Sequence, residues 1–232
     1  MTTRPKTLTV TECDQILEAL CPKHAPRKSY RKHIRNRAMV LLMLDAGLRV
    51  GEVVSLEMSD LFFDLVPVVT LTVRASIAKT RVERTIPVSD RLSDALVEFG
   101  RVNEDWFLTR RPRYAFASNT PGKALTTRQV ERIVTRAAEK TISRPVHPHI
   151  FRHSFASKLM RKVNIRTVQV LLGHKHITST QIYTHPNQED LKNAIATLNH
   201  SQDNQQVAVL ASASSPDIAN STDAANTHRD MG

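Results

Sequence analysis

His149-Ile150-Phe151-Arg152-His153 is the most informative string in the chain. Twenty-one residues after His153 comes the last residue of Leu172-Gly173-His174, and nine further on Tyr183 sits in Thr180-Gln181-Ile182-Tyr183-Thr184-His185. On a helix, His149, Arg152 and His153 fall at i, i+3 and i+4 and share neighbouring parts of one face, while Phe151, Phe155 and Leu159 bury the other. The pattern predicts helices near 149–162 and 165–172.

Working outward, Ala38, Val40, Leu41, Leu42, Met43 and Leu44 form an apolar segment running to Gly47, a helix stop, which predicts a buried central helix after a basic stretch from Lys23 to Lys32. Gly47-Leu48-Arg49-Val50-Gly51-Glu52 follows it directly. Thr9 to Glu12 has capping-box spacing and leads into a first helix with Cys13, Ile16, Leu17, Leu20 and Cys21 on one face. From Leu61 to Val88 the character changes, because 68–73 and 82–88 are β-branched runs around a polar turn. They predict a small antiparallel sheet with Lys79 near the hairpin tip. Helical patterns return near 90–102, 126–140 and 187–198. The fold class expected is mainly α with a small antiparallel β-sheet (α+β).

The 232 residues can bury the core of one fair-sized domain without covalent staples. Against 22 acidic residues stand 33 Lys and Arg, a formal charge of +11, which favours a polyanionic partner. Residues 1–8 read as a short lead and 9–200 as the functional domain. Residues 201–232, rich in Ser, Ala, Asn, Asp and Gln, have too little to bury to offset the entropy of ordering and read as a disordered tail. No internal repeat, signal peptide, long apolar span or metal-type cysteine pairing is found in the sequence. Cys13 and Cys21 would stand roughly 12 Å apart along one helix, too far for a disulfide. No membrane association and a reducing cytoplasm are the expectations.

Together these strings resemble the tyrosine recombinase, or phage integrase, family, whose catalytic set is an Arg, a Lys, a His-x-x-Arg, a second His and a nucleophilic Tyr. Every member of the set has a matching position: Arg49 in Gly-Leu-Arg-x-x-Glu, Lys79 in the hairpin, His149 and Arg152, His174 in Leu-Gly-His, and Tyr183. The specificity lies in order and spacing across about 130 residues, since a lone His-x-x-Arg is weak. The resemblance implies the tyrosine recombinase catalytic-domain fold and DNA cleavage and rejoining through a 3′-phosphotyrosyl link, with no cofactor and no metal.

The chemistry suits the set. In-line attack on a phosphodiester builds charge on the non-bridging oxygens, and two guanidiniums, Arg49 and Arg152, neutralise it through paired hydrogen bonds. Tyr183, with a free phenol pKa of about 10, needs a base. His149 is the expected general base and His174 the expected donor to a phosphate oxygen, roles that can be exchanged. Lys79 is the expected general acid for the departing 5′ hydroxyl, and Glu52 a support for Arg49.

Plainer readings stand beside these. Each arginine alone, and Lys79 among Arg74, Arg81 and Arg84, reads as a solvated surface charge. His153 reads as a packed histidine, and Tyr183 alone as a buried aromatic. His149 and His153 lack the Glu of a zincin helix, since Ile150 follows His149.

Two other functions compete: a catalytically silent DNA-binding regulator of the same fold and a type IB topoisomerase. The resemblance further implies double-stranded DNA as partner and a homotetramer on paired sites. Most relatives carry an N-terminal DNA-binding domain that completes a clamp, and here the catalytic domain begins almost at once, as in short fimbrial-type DNA invertases. Either the catalytic domain binds DNA alone, aided by basic patches at Lys28 to Arg37 and Arg110 to Arg113, or an accessory DNA-binding protein supplies the clamp.

Overall fold

The computed structural model describes residues 7–20, 27–176 and 178–181. The chain divides into two units, Met1–His185 and Pro186–Gly232, and every described residue belongs to the first. Tyr183, Cys21, the helix expected at 187–198 and the tail expected at 201–232 lie outside the described residues.

In chain order the elements are α1 (Val10–Leu20), α2 (Arg27–Asp45), α3 (Val50–Ser55), α4 (Met58–Leu61), β1 (Phe62–Phe63), β2 (Val66–Pro67), β3 (Thr70–Val73), β4 (Arg84–Pro87), α5 (Asp90–Arg110), α6 (Thr127–Ile142), α7 (Pro148–Met160), α8 (Ile165–Leu172) and α9 (Thr178–Gln181). The helix-rich architecture with small antiparallel sheets matches the expected class.

At the start of α1, Thr9 N–H donates to Glu12 Oε2 (2.8 Å) and Glu12 N–H to Thr9 Oγ1 (3.1 Å), the capping box read from sequence. Glu12 also accepts from Arg144 Nη2 beyond α6 (2.8 Å), and Leu8 N–H donates to Ser154 Oγ on α7 (2.9 Å). The helix buries Cys13, Ile16, Leu17 and Leu20. Burial pushes the Cys13 thiol up to about 11, which makes it a packing group rather than a nucleophile.

The central helix is α2, where Ala38, Met39, Val40, Leu41, Leu42 and Met43 are each 1 % exposed or less. It packs against α5 and α7. It begins at Arg27, earlier than the apolar run, because Arg and Lys are good helix formers and Ile34 already faces the core. α5 runs two turns beyond the expected 102. Its polar second half is held by aromatic packing: Phe107 lies 5.5 Å from Phe99 and 6.2 Å from Phe62, ring centre to ring centre. Gly100 leaves room for that packing, since a Cβ there would stand 3.1 Å from the Phe62 ring.

β3 and β4 pair antiparallel from Thr70↔Pro87 to Val73↔Arg84, and Lys79 lies in the loop between them, as expected. A second hairpin, β1 with β2, was not foreseen. Its turn residues Asp64 and Leu65 both have positive φ (48° and 63°), a conformation that Asn-Gly or Asp-Gly usually signals and Asp-Leu does not. Among the described residues no helix is long and apolar enough to cross a membrane.

Two glycines shape the connections that matter below. Gly47, after α2, has φ +63°, and a Cβ on it would run into the Phe155 ring of α7. Gly173, after α8, also has φ +63°, and its Cβ would stand 2.9 Å from Arg84 Cδ. Gly51, inside α3, has nothing within 4 Å of the added atom. Gly47→Ala should therefore lower unfolding free energy by about 2–4 kcal/mol in urea titration, whereas Gly51→Ala should raise it by up to about 1 kcal/mol.

Candidate active site

Arg49 has extended backbone (φ −75°, ψ 149°) and immediately precedes α3. Glu52, in the first turn of that helix and 1 % exposed, accepts the Arg49 N–H at Oε2 (2.8 Å) and Arg49 Nη1 at Oε1 (3.0 Å). The same carboxylate receives both arms of Arg84, Nη1 to Oε1 at 3.1 Å and Nη2 to Oε2 at 2.7 Å, while Arg84 Nε donates to the Leu171 carbonyl at 3.0 Å. Burial pushes the Glu52 carboxyl up, but the Arg84 fork, the Arg49 N–H and the Arg152 charge outweigh it and hold the group below the usual carboxylate range.

Arg152, on α7, is 4 % exposed. Its Nη1 donates to the Gly47 carbonyl and its Nη2 to the Leu172 carbonyl at 2.8 Å. The guanidinium thus ties the turn before Arg49 to the end of α8. His149, Arg152 and His153, expected on neighbouring parts of one helix face, differ in exposure. His149 is exposed and His153 is partly buried, whereas Arg152 is packed like the phenylalanines because two backbone carbonyls from distant segments take up its donors.

Arg152 Nη2 also lies 3.1 Å from His174 Nε2, and His174 Nδ1 lies 3.0 Å from Thr180 Oγ1. Arginine can only donate, so Nε2 is the acceptor and Nδ1 carries the proton, which it gives to Thr180. Gln169 Nε2 donates to the His174 carbonyl (3.0 Å) and so fixes the backbone after Gly173. Burial, with the charges of Arg152, Arg49 and Arg84, pushes the His174 pKa from 6.5 to about 4. His149 is pushed down by burial and by Arg152, Arg49 and Lys79. Both imidazoles are neutral at pH 7.

The fold therefore brings Arg49, Arg152 and Lys79 within electrostatic reach of His149, and Arg49, Arg84 and Arg152 within reach of His174. Tyr183 follows α9 by two residues and lies outside the described residues. Arg84, Gln169 and Thr180 escaped the sequence reading. Arg84 enters the sequence reading only as a basic neighbour of Lys79, yet its side chain is 3 % exposed. A signal for it existed: Arg84 and Ile86 occupy the same inward face of the alternating strand β4. Thr180 carried no such signal. Four cationic side chains, one carboxylate and two neutral imidazoles leave a net positive site suited to an anion with several oxygens.

Residues 6–190 match the model of the phage integrase family. The chain is 31 % identical over 197 residues to tyrosine recombinase XerD of Rickettsia bellii, covering 82 % of this chain and 63 % of that one. It is 30 % identical over 186 residues to tyrosine recombinase XerC of Pediococcus pentosaceus, covering 78 % and 58 %. The chain thus spans about six tenths of the length of these relatives. Among solved structures, that of XerA recombinase aligns with a TM-score of 0.65 at 28 % identity, covering 84 % of this chain and 66 % of that one. That of XerH recombinase bound to its palindromic difH substrate aligns at 0.63 with 23 % identity, covering 85 % and 54 %, a likeness of fold.

Two outcomes follow from the geometry. Arg84→Met strands the Glu52 charge and should cost about 3–5 kcal/mol in chemical denaturation, while Glu52→Gln with Arg84→Met should restore part of it. Because His174 is held neutral when folded, the unfolded chain binds the extra proton between the two pKa values. Stability should fall as pH drops from 6.5 towards about 4. His174→Gln should make that part of a Tm-against-pH curve shallower.

Proposed function

Since this chain belongs to the phage integrase family, we propose that it is a site-specific DNA recombinase that cuts and rejoins strands through Tyr183. The supporting observation is the pair of guanidiniums, Arg49 and Arg152, held in place before any substrate arrives, one by a buried carboxylate and the other by two backbone carbonyls. A site whose donors are fixed in advance spends no reorganisation energy as charge develops on the phosphoryl oxygens.

In this reading a phosphodiester of double-stranded DNA seats against Arg49 and Arg152. The Tyr183 oxygen bonds to phosphorus, its proton passes to His149, and the bond from phosphorus to the 5′ oxygen breaks as Lys79 protonates that oxygen. His149 suits the base because its imidazole stays unprotonated at neutral pH. Lys79 is exposed on a hairpin loop and can approach a leaving group that lies on duplex DNA. The 3′-phosphotyrosyl link conserves the bond energy, so attack by another 5′ hydroxyl reverses the step without a nucleotide cofactor or a metal.

His174 has a more particular part. Its Nε2 accepts from Arg152, so it donates to a phosphate oxygen only after gaining a proton. An anionic phosphodiester in the site raises its pKa, so the substrate itself recruits that second donor.

The reading extends to the assembly: residues 9–200 as the catalytic unit, four protomers on two DNA sites, and either the basic surface or an accessory DNA-binding protein closing around the duplex. XerH solved on its difH substrate supports duplex DNA as the partner.

The test is to incubate the protein with nicked, labelled duplexes from the flanks of its gene, denature in detergent, and look for protein-linked DNA. Wild type should form the adduct and Tyr183→Phe should not. Arg152→Lys should slow its formation by about 10²–10³-fold, since an ammonium cannot keep both the fork and the carbonyl ties. DNA binding without an adduct would favour the regulator, and relaxation of supercoils at any sequence without exchange between sites would favour the topoisomerase.

A further inference from the structure

A second cluster of cations lies on a groove outside the six residues assigned to catalysis. It is lined by Arg31, Lys32 and Arg35 of α2, by Trp106 and Arg110 of α5, and by the loop 117–122. Among the described residues, no Asp or Glu lines it. Elsewhere on the same two helices some arginines are paired, Arg37 with Glu98 at 3.3 Å and Arg91 with Asp45. Among the described residues, Arg31, Lys32, Arg35 and Arg110 have no carboxylate within ion-pair distance.

Arg35 is the informative member. Its Nε is shut off from solvent with no hydrogen-bond partner among the described residues, and the acceptor it has is the neutral Asn36 Oδ1 at 3.2 Å from Nη2. Burial pushes its guanidinium pKa down, with no carboxylate to oppose the shift. A partly buried cation with no carboxylate partner is costly to fold around, and an anion in the groove that Arg35 lines would offset that cost.

The sequence of α2 points the same way. Arg27 to Arg35 hold five cations and no acid. They stand at the helix end where the backbone dipole favours negative charge, and Arg31 and Arg35 form a like-charged i, i+4 pair. Folding alone does not favour that arrangement. An external anion adds attractive terms that offset these.

We propose that this groove is a phosphate-binding site, separate from the catalytic cluster, in which Arg35 and Arg31 grip the oxygens of a phosphoryl group and Lys32 and Arg110 add charge at the rim. The source that fits a DNA-cutting enzyme is a backbone phosphate of the duplex, and that choice rests on the function proposed above. A free phosphate compound offers the same chemistry.

Trp106 is the single tryptophan of the chain and lines the groove, so its emission reports occupancy. The full-length protein is titrated with inorganic phosphate and with duplex DNA, Trp106 emission is followed, and DNA affinity is measured in parallel by anisotropy at several salt concentrations. The variants are Arg35→Gln and, because a partly buried arginine can matter for folding, the exposed pair Arg31→Gln with Arg110→Gln. Both ligands should change the emission of wild type, and the variants should lose the change. The slope of log affinity against log salt should fall by about 0.9 for each phosphate contact removed.

Emission that responds to inorganic phosphate but not to bound duplex keeps the phosphate site and assigns it to a free phosphate compound. If emission is unaffected by either ligand and the salt slope is unchanged in both variants, the groove proposal is overturned. Formation of the Tyr183 adduct is scored separately, so loss of the recombinase reading is distinguishable from loss of the groove.

Discussion

A carboxylate with 1 % exposure can stay ionised only if cations and N–H groups replace the water it has lost, and Glu52 meets that condition with two arginines and a backbone amide. Each partner comes from a different part of the chain: Arg49 from the connection after the central helix, Arg84 from β4. Arg84 then reaches the Leu171 carbonyl and fills the space left by Gly173. One buried charge thereby sets the separation of α3, β4 and the end of α8, and the catalytic candidates stand on those three elements or beside them.

Arg152 completes the frame from the other side. Its donors go to the carbonyl of left-handed Gly47 and to that of Leu172, which precedes left-handed Gly173, so an arginine expected to wait for substrate is also a structural tie. The frame sets the protonation of its neighbours too. With Arg49, Arg84, Arg152 and Lys79 nearby, a protonated imidazole is disfavoured, and both histidines rest neutral. That state fits an acceptor of the tyrosine proton and leaves His174 dependent on an anion to become a donor.

The two cationic clusters differ in how their charge is held. In the catalytic cluster Glu52 and backbone carbonyls restrain the guanidiniums. In the groove between α2 and α5 the described residues provide no such restraint, and the charge faces outward to whatever anion enters. Fixed donors suit chemistry on one phosphorus atom, and loosely held ones suit the grip of a backbone.

Much was legible in the sequence where a local signal carried it. The capping box at Thr9 and Glu12, the apolar run ending at Gly47, the β-branched runs around Lys79, and the spacing of Arg49, His149, Arg152 and His174 each depend on residues near one another in the chain or on a distinctive order. The polar half of α5 was missed because its helicity comes from the Phe62 and Phe107 packing, and the hairpin at Asp64-Leu65 because its turn lacks the usual residues. The burial of Arg152, the proton on His174 Nδ1, and the unpartnered Nε of Arg35 were decided by tertiary structure alone. A side chain's type states which bonds it can make, but desolvation and the partners that offset it come from segments as far as 146 residues apart, and only the folded chain brings those together.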